Sequence, residues 1–491
     1  MDYGFLKSGT DIRGIASDLG GKNIELTDDA VKDITAAFVV WYINKFEKNP
    51  ENLKISLGHD SRITADRICA AVKETLLRSG VTVYDCGLAS TPAMFMTTVD
   101  LNCDAAVEIT ASHHPFDRNG IKIFLTSGGL EGSDVAEILS LAGEGMTVDN
   151  VKAGSIIETD YMTEYAKRLR TLIIDGVGKG ELPLSGKRII VDAGNGVGGF
   201  YAEKVLKPLG ADITGSRYLE PDGMFPNHTP NPEDKTAMKS ICDAVKENSA
   251  DLGIIFDTDV DRAGCVGADG VEINRNRLIA LASYIAVGGK TGKTIVTDSV
   301  TSDGLKDYIE NTLRCKHYRY RRGYKNVIDK AIELCGQGID TPLAIETSGH
   351  AALRENYFLD DGAYLATKIV IEVAKGTDIT KLLSPLKMPL DELECRIGIT
   401  ATDFKEYGNA VIERLQQYVM DLPDYKIADD NREGIRVSGH NGWFLLRLSV
   451  HDPVMPLNFE CNDKFGIQKM IGDLKPFFAG FEGLSLPDAL N

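Results

Sequence analysis

The chain has 491 residues, which suggests three or four domains at roughly 100–200 residues each. Hydrophobic residues make up 43% and charged residues 26%, the balance of a globular protein with room for a large core. A formal net charge of −18 argues against a nucleic-acid or anionic-membrane partner, because the overall field repels phosphate backbones; only a local basic cleft would hold a small anion. The nine cysteines (Cys69, Cys86, Cys103, Cys242, Cys265, Cys315, Cys335, Cys395 and Cys461) form no CxxC pair, which predicts reduced thiols in a cytoplasmic protein. The opening "MDYGFLKSGTDIRG" lacks the apolar stretch of a signal peptide, and no apolar run approaches the ~18 residues of a membrane span.

In chain order, "NLKISLGHD" reads as a strand entering a loop, "ADRICAAVKETLLRSG" as an amphipathic helix with a glycine stop, and "VTVYDCG" as the next strand. "DAAVEITASHHP" is a strand ending at Ser112, and Asn119–Gly120 in "NGIKIF" signals a hairpin that folds Lys122 back toward Ser112. "GKRIIVDAGNG", "GFYAEKVLKPLG" and "ADLGIIFDTDVDR" repeat the strand–helix–strand theme, as do "GKTIVTDSV", "YKNVIDKAIELC" and "TPLAIETSGH". Such alternation implies an α/β protein with parallel or mixed sheets. The last ~100 residues read as an α+β module. It has strands at "ECRIGITA", "EGIRVSG", "GWFLLRLSV" and "PLNFECN", and a long helix from about Asp403 to Met420. Boundaries fall near residues 158, 272 and 388, giving domains 1–158, 159–272, 273–388 and 389–491.

Three strands end in unusual polar loops, "TASHHP", "DTDVDR" and "ETSGH". Ligands of open α/β sheets bind outside the carboxyl ends of strands, so three such loops are expected to face one cleft. In "DTDVDR", Asp257, Asp259 and Asp261 alternate, and three clustered carboxylates call for a cation such as Mg²⁺. A calcium EF-hand fails on spacing, since its glycine and glutamate positions hold Arg262 and Ala268. Arg262 adds a forked donor suited to phosphate. Ser112 has no GxSxG elbow, and read alone it is equally a loop or N-cap hydroxyl. His113 and His114, if extended, would point to opposite faces. "ETSGH" offers Glu346, Ser348 and His350, a set able to hold sugar hydroxyls and shuttle a proton. "GNGVGG", Gly194–Gly199, fits a dinucleotide fingerprint after a strand and before a helix, the best support for an NAD-dependent reading. "GGKTGKT" from Gly288 misses a P-loop because residue 287 is Val.

Together these loops resemble, in order and over nearly the whole chain, the α-D-phosphohexomutase family, and within it the phosphomannomutase/phosphoglucomutase group. "GTDIRG" resembles its N-terminal segment, "TASHHP" its phosphoserine loop with His114 in place of Asn, "DTDVDR" its magnesium loop and "ETSGH" its sugar-recognition loop. "VDAGNGVGG" and "PDGMFPNHTPNPED" match two second-domain segments, which accounts for the glycines without NAD. The resemblance implies four domains around a central cleft, three related α/β domains and a C-terminal α+β domain. It implies that Ser112 carries a phosphoryl group and that Asp257, Asp259 and Asp261 hold Mg²⁺ with it. Lys122 and His350 become the acid/base pair, with Arg13, Arg262 and His113 beside them. Glu346 and Ser348 would bind sugar hydroxyls, and Arg447, Ser449 and Lys325 a substrate phosphate. The implied reaction is reversible phosphoryl transfer between the 1- and 6-positions of glucose or mannose phosphates, as a monomer or dimer, through a hexose 1,6-bisphosphate.

The chain departs from the family's fourth-domain phosphate loop. "RLSVHDPVMP" keeps Arg447 and Ser449, while Val450, His451 and Asp452 differ. "RRGYK", Arg321 to Lys325, replaces another usual pattern but keeps cationic donors. A phosphoglucosamine mutase and a non-catalytic hexose-phosphate-binding homologue are the alternatives.

Overall fold

A computed structural model describes residues 1–148, 152–449 and 452–490. The chain divides into two compact units, Met1–Leu278 with Ser348–Leu382, and Ile279–Thr347 with Leu383–Asn491.

In the first unit, the strand Lys54–His59 lies between parallel neighbours Thr82–Leu88 and Ala105–Ile109. Lys54–His59, apart from its ends, and Ala105–Ile109 are buried on both faces, as inner parallel strands require, while Thr82–Leu88 is half-buried. Helices Asp28–Phe46, Ala65–Arg78 and Gly132–Gly143 pack together over one core, which includes Val31, Ile34, Phe38, Ile55, Leu57, Val72 and Ile138. The first of these helices starts where Thr27 caps the Ala30 N–H, with Asp28 and Asp29 complementing its dipole. Helix Thr91–Asp100 packs against the same sheet and against Tyr161–Val177.

The strand before Ser112 stops earlier than its sequence suggests, at Ile109. The chain turns over Ala111–Asp117 and returns antiparallel as Arg118–Leu125, with Glu108 opposite Lys122. Lys122 therefore does fold back, but not through a turn at Asn119–Gly120, which lies inside the returning strand. The strand stays open there because the Asn119 side chain is occupied: its amide donates to Thr64 and its oxygen accepts from the Gly120 N–H. Gly120 serves close approach, since a Cβ there would sit 2.5 Å from the Ile12 carbonyl oxygen and 2.7 Å from that of Thr110.

The second sheet of this unit pairs Ile189–Asp192 parallel to Leu252–Phe256, and Leu252–Phe256 antiparallel to Ala263–Gly267. Phe256 lies opposite Ala263, so the six residues of "DTDVDR" form a hairpin loop. Helix Gly362–Lys375 packs on these strands and on Tyr161–Val177.

The second unit contains parallel strands Lys316–Arg319, Thr294–Thr297 and Leu343–Ile345. It also contains an antiparallel sheet in the order Tyr425–Ile427, Ile435–Gly439, Gly442–Leu446, Val454–Cys461, Asp391–Ile399 and Leu484–Ser485. The long helix expected near Asp403 runs Phe404–Met420, capped by Asp403. With Gly466–Phe478 it covers a core of Ile397, Val411, Leu415, Phe444, Leu457 and Leu474. All nine cysteines are free thiols. Among the described residues, no helix is long and apolar enough to cross a membrane.

Candidate active site

Ser112 sits in the turn after Ile109 with φ +51°, a left-handed conformation that costs a non-glycine residue about 1–2 kcal/mol. Strain of this kind persists only where surrounding bonds over-determine it. Its N–H donates to Thr110 Oγ1 (2.8 Å), and its side chain is buried. The hydroxyl donates to Asp257 Oδ2 (3.1 Å), accepts from Arg262 Nη2 (2.7 Å) and lies 3.3 Å from His113 Nδ1.

His113 and His114 do not point to opposite faces. The chain is turned here rather than extended, with the His114 N–H donating to the Ala111 carbonyl, and the two rings lie side by side at 5.2 Å. Burial, then the Arg13 and Arg118 guanidiniums, push His114 down to about 3. Burial and Arg262 push His113 lower still, so both rings are neutral.

The hairpin loop aims all three carboxylates inward. Asp257, Asp259 and Asp261 are buried, and one oxygen of each lies within 4.8 Å of the others. Val260 takes φ +64° to make the turn. Lys122 Nζ bridges Asp259 (3.0 Å) and Asp261 (2.6 Å). Although burial works against its charge, these two carboxylates raise Lys122 well above its ordinary value and keep it protonated. Burial likewise opposes the charge on Asp261, yet Lys122, His350 and Arg262 hold its carboxyl well below the usual range. Burial and repulsion from Asp261 and Asp259 push Asp257 up. Asp259 Oδ1 and Asp261 Oδ1 are buried with no hydrogen-bond partner among the described residues. Orphaned hard oxygens in a cluster of like charge fit a hard divalent cation.

Arg262, 3% exposed, donates from Nε to Asp257 Oδ2 (3.0 Å) and from its backbone N–H to Asp257 Oδ1 (3.1 Å) while reaching Ser112 and His113. His350 pairs with Arg262 in a backbone bridge, and its Nε2 lies 3.7 Å from Asp261 Oδ1. Ser348 Oγ lies 3.0 Å from His350 Nδ1. Arg13 pairs with Asp11 at 2.8 Å. Ser112, His113, Arg13, Lys122, the three aspartates, Arg262, Ser348 and His350 therefore belong to one unit.

Glu346 belongs to the second unit, where its Oε1 accepts from the Gly323 N–H (2.6 Å). Asp298, fully buried, accepts from Thr347 Oγ1 (2.6 Å) and lies 4.0 Å from Arg322 Nε. Burial, then Glu346, push Asp298 up to about 7. Glu433 accepts from Ser299 Oγ and from the Arg322 N–H. Burial and the Arg322 charge both destabilise the Arg447 cation, a setting that favours an anion. Ser449 Oγ accepts from the Asp452 N–H (3.2 Å). Val450 and His451 lie outside the described residues. Lys325 makes an ion pair with Asp329 at 2.9 Å, one helical turn on.

Sequence reading missed several participants. Thr91 donates to Asp259 Oδ2 (2.5 Å) from the start of a helix. Its only sequence signal is the "STP" helix start, which marks a cap rather than a site. Asp60 and Arg62, an ion pair inaccessible to solvent that bonds to the Ser112 carbonyl, carry no signal of their own, and neither do Asp298 and Glu433 in the second unit. In the glycine-rich turn Gly196 serves close packing: a Cβ there would sit 2.6 Å from the Thr258 carbonyl oxygen.

The arrangement suits phosphoryl transfer. It offers one hydroxyl fixed between a guanidinium and a carboxylate, a protonated lysine, and three carboxylates apt for a cation. Comparisons with known proteins agree. Residues 7–145, 163–270 and 274–388 match the phosphoglucomutase/phosphomannomutase family's alpha/beta/alpha domains I, II and III. The chain is 29% identical over 467 residues to a phosphoglucomutase of Neisseria gonorrhoeae, covering 94% of each. It is also 29% identical over 421 residues to a phosphomannomutase/phosphoglucomutase of Pseudomonas aeruginosa, covering 85% of each. A crystal structure of a phosphoglucomutase/phosphomannomutase family protein from Burkholderia thailandensis shares the fold with TM-score 0.82 and 24% identity, covering 99% of this chain and 100% of that one.

Proposed function

Because the chain belongs to the phosphoglucomutase/phosphomannomutase family, we propose that it moves a phosphoryl group reversibly between the 1- and 6-positions of glucose or mannose phosphates. The observation that carries this reading is Ser112, strained and buried, with its hydroxyl bound to both Arg262 and Asp257. In the proposed cycle Ser112 starts phosphorylated. The Ser112 Oγ–P bond breaks as a P–O bond forms to the free hydroxyl of a hexose phosphate; that hydroxyl's proton passes to the general base, and the leaving Ser112 Oγ takes a proton from the general acid. The resulting hexose 1,6-bisphosphate turns over, and its other phosphoryl group returns to Ser112.

Lys122 and His350 are the proposed acid/base pair, and Lys122 enters protonated. Arg262 holds the transferring oxygens from one side, while Arg13 and the neutral His113 line the same turn. Asp257, Asp259 and Asp261, with the Ser112 phosphate, would hold Mg²⁺, which when bound neutralises charge on the phosphoryl oxygens. Glu346 and Ser348 are the proposed ligands of sugar hydroxyls; Arg447, Ser449 and Lys325 are those of a substrate phosphate. The proposed domains are 1–158, 159–272, 273–388 and 389–491, and the three family matches fall inside the first three. The reading carries with it a cytoplasmic enzyme, a monomer or dimer, acting on small hexose phosphates without nucleic-acid or membrane partners.

The test is a coupled mutase assay with Mg²⁺ and a trace of glucose 1,6-bisphosphate. Glucose 1-phosphate, mannose 1-phosphate and glucosamine 1-phosphate are supplied in parallel. The first two are expected to turn over, and Ser112→Ala is expected to lose about 10³-fold or more in kcat while keeping its fold. Substantial activity in that variant would sink the phosphoserine mechanism. Preference for glucosamine 1-phosphate would replace the substrate assignment.

A further inference from the structure

We propose that Arg62 is a positioning residue for phosphoryl transfer: it holds the turn that carries Ser112 and thereby sets the direction of the Ser112 hydroxyl. The proposal rests on the phosphoserine reading of Ser112. Arg62 lies fifty residues before Ser112, just past the strand Lys54–His59, and its side chain is wholly inaccessible to solvent, as is that of its partner Asp60.

A guanidinium has five N–H donors, and Arg62 directs bonds from all three of its nitrogens. Nε donates to Asp60 Oδ2 (3.2 Å). Nη1 donates to the carbonyl oxygens of Pro115 (2.7 Å) and Arg118 (2.9 Å). Nη2 donates to those of Ser112 and His114 (2.6 Å). Four of the five bonds thus go to carbonyls within one seven-residue segment, Ser112 to Arg118. The segment lies outside regular structure until Arg118, so these bonds replace a ladder that the backbone lacks there.

Asp60 closes the arrangement. Its Oδ1 accepts from the Arg62 N–H (2.9 Å), and its Oδ2 accepts from Thr110 Oγ1 (2.7 Å). Thr110 Oγ1 in turn accepts from the Ser112 N–H (2.8 Å). Ser112 is therefore gripped on both sides, its N–H through Thr110 and Asp60, its carbonyl directly by Arg62. Those two peptide groups fix the φ of +51° from which Oγ reaches Arg262 and Asp257. The Phe225 ring lies 5.3 Å from the guanidinium. Arg62 is too deeply buried to touch a substrate, so it acts through Ser112. Lysine cannot substitute, because a compact ammonium has three donors and no planar fork.

The experiment compares wild type, Ser112→Ala, Arg62→Lys and Thr110→Val as full chains, by the mutase assay on glucose 1-phosphate, thermal melting and hydrogen exchange of residues 112–118. Misplacing a reacting group by about 1 Å costs roughly a hundredfold. Arg62→Lys is therefore expected to lower kcat about 100-fold with KM within about threefold, and to speed amide exchange in 112–118. Thr110→Val, a milder change, is expected to lower kcat about tenfold with the same split. An Arg62→Lys protein that folds and keeps kcat within about twofold would overturn the proposal. So would a loss of activity in both variants that merely tracks the loss of folded protein. If wild type itself turns over no hexose phosphate, the mutase reading fails separately, and the exchange rates alone decide whether Arg62 holds the turn.

Discussion

Arg262 is the residue on which the site's charges meet. It spans Ser112 Oγ, both oxygens of Asp257 and the His113 ring, and Ala263 next to it begins a strand buried along its whole length. Its fork can stabilise charge developing on a transferring phosphoryl group while Asp257 holds its orientation. Replacing it by lysine keeps the charge and loses the second contact. Arg262→Lys is expected to lower kcat by about 100-fold in the steady-state assay, with a smaller change in KM, because the lost contact matters most when charge has moved. A kcat within about threefold of wild type would remove Arg262 from that role. Much of this site was legible in the residues themselves. The run "TASHHP" marked Ser112, and alternating aspartates marked the hairpin loop. What was not legible was partnership over distance. Thr91 meets Asp259 across 168 positions and Arg62 meets Ser112 across 50, and each reads locally as an ordinary cap or turn residue. The two histidines depart from the extended geometry for a related reason, since the left-handed Ser112 that turns the chain is held by the distant Arg62.

At the scale of elements, strands and helices followed from apolar runs and caps, as at Lys54–His59 and Phe404–Met420. The Asn119–Gly120 turn signal failed because neighbouring strands and Thr64 claimed those residues first, a tertiary effect invisible to local propensity. The helix Gly362–Lys375 shows what such competition does to a titratable group. Its N-cap, Asp361, accepts from the Tyr364 N–H (2.8 Å), Tyr165 OH (2.6 Å) and Asn356 Nδ2 (2.9 Å). Burial nevertheless outweighs these bonds and pushes its carboxyl up to about 6 from 3.8. The folded protein therefore holds a proton that the unfolded chain has released between pH about 4 and 6. This contribution to stability is fully present below pH about 4 and is lost as pH rises through 6, by at most about 3 kcal/mol. Asp361→Asn is neutral throughout and still caps, because Asn356 can turn its amide to accept. Melting curves from pH 4 to 7 are expected to fall less steeply for the variant than for wild type. Parallel curves would mean that Asp361 stays ionised in the fold.

For the whole molecule, the acidic hairpin sets a link between metal and stability. Asp257, Asp259 and Asp261 are buried together in a chain whose net charge is already −18, and Lys122 and Arg262 compensate them only in part. A ligand that binds the folded state alone stabilises it by about 2.7 kcal/mol at a hundred times its dissociation constant. Mg²⁺ is thus expected to raise the melting temperature of the metal-free protein and to slow hydrogen exchange in Asp257–Arg262 and around Ser112. Chelation should reverse both. Asp259→Asn removes one charge of the crowded set and keeps an oxygen for Thr91 and Lys122, its amide taking the place of the orphaned Oδ1. Relief of repulsion should raise the melting temperature of the metal-free protein by a few degrees, while the further rise with Mg²⁺ largely disappears. The two effects have opposite signs in one variant, so they separate a metal site from a merely structural ion-pair network. If Asp259→Asn melts below wild type in chelator and still responds fully to Mg²⁺, the three carboxylates are held together by Lys122 and Arg262 alone, and the cation binds elsewhere.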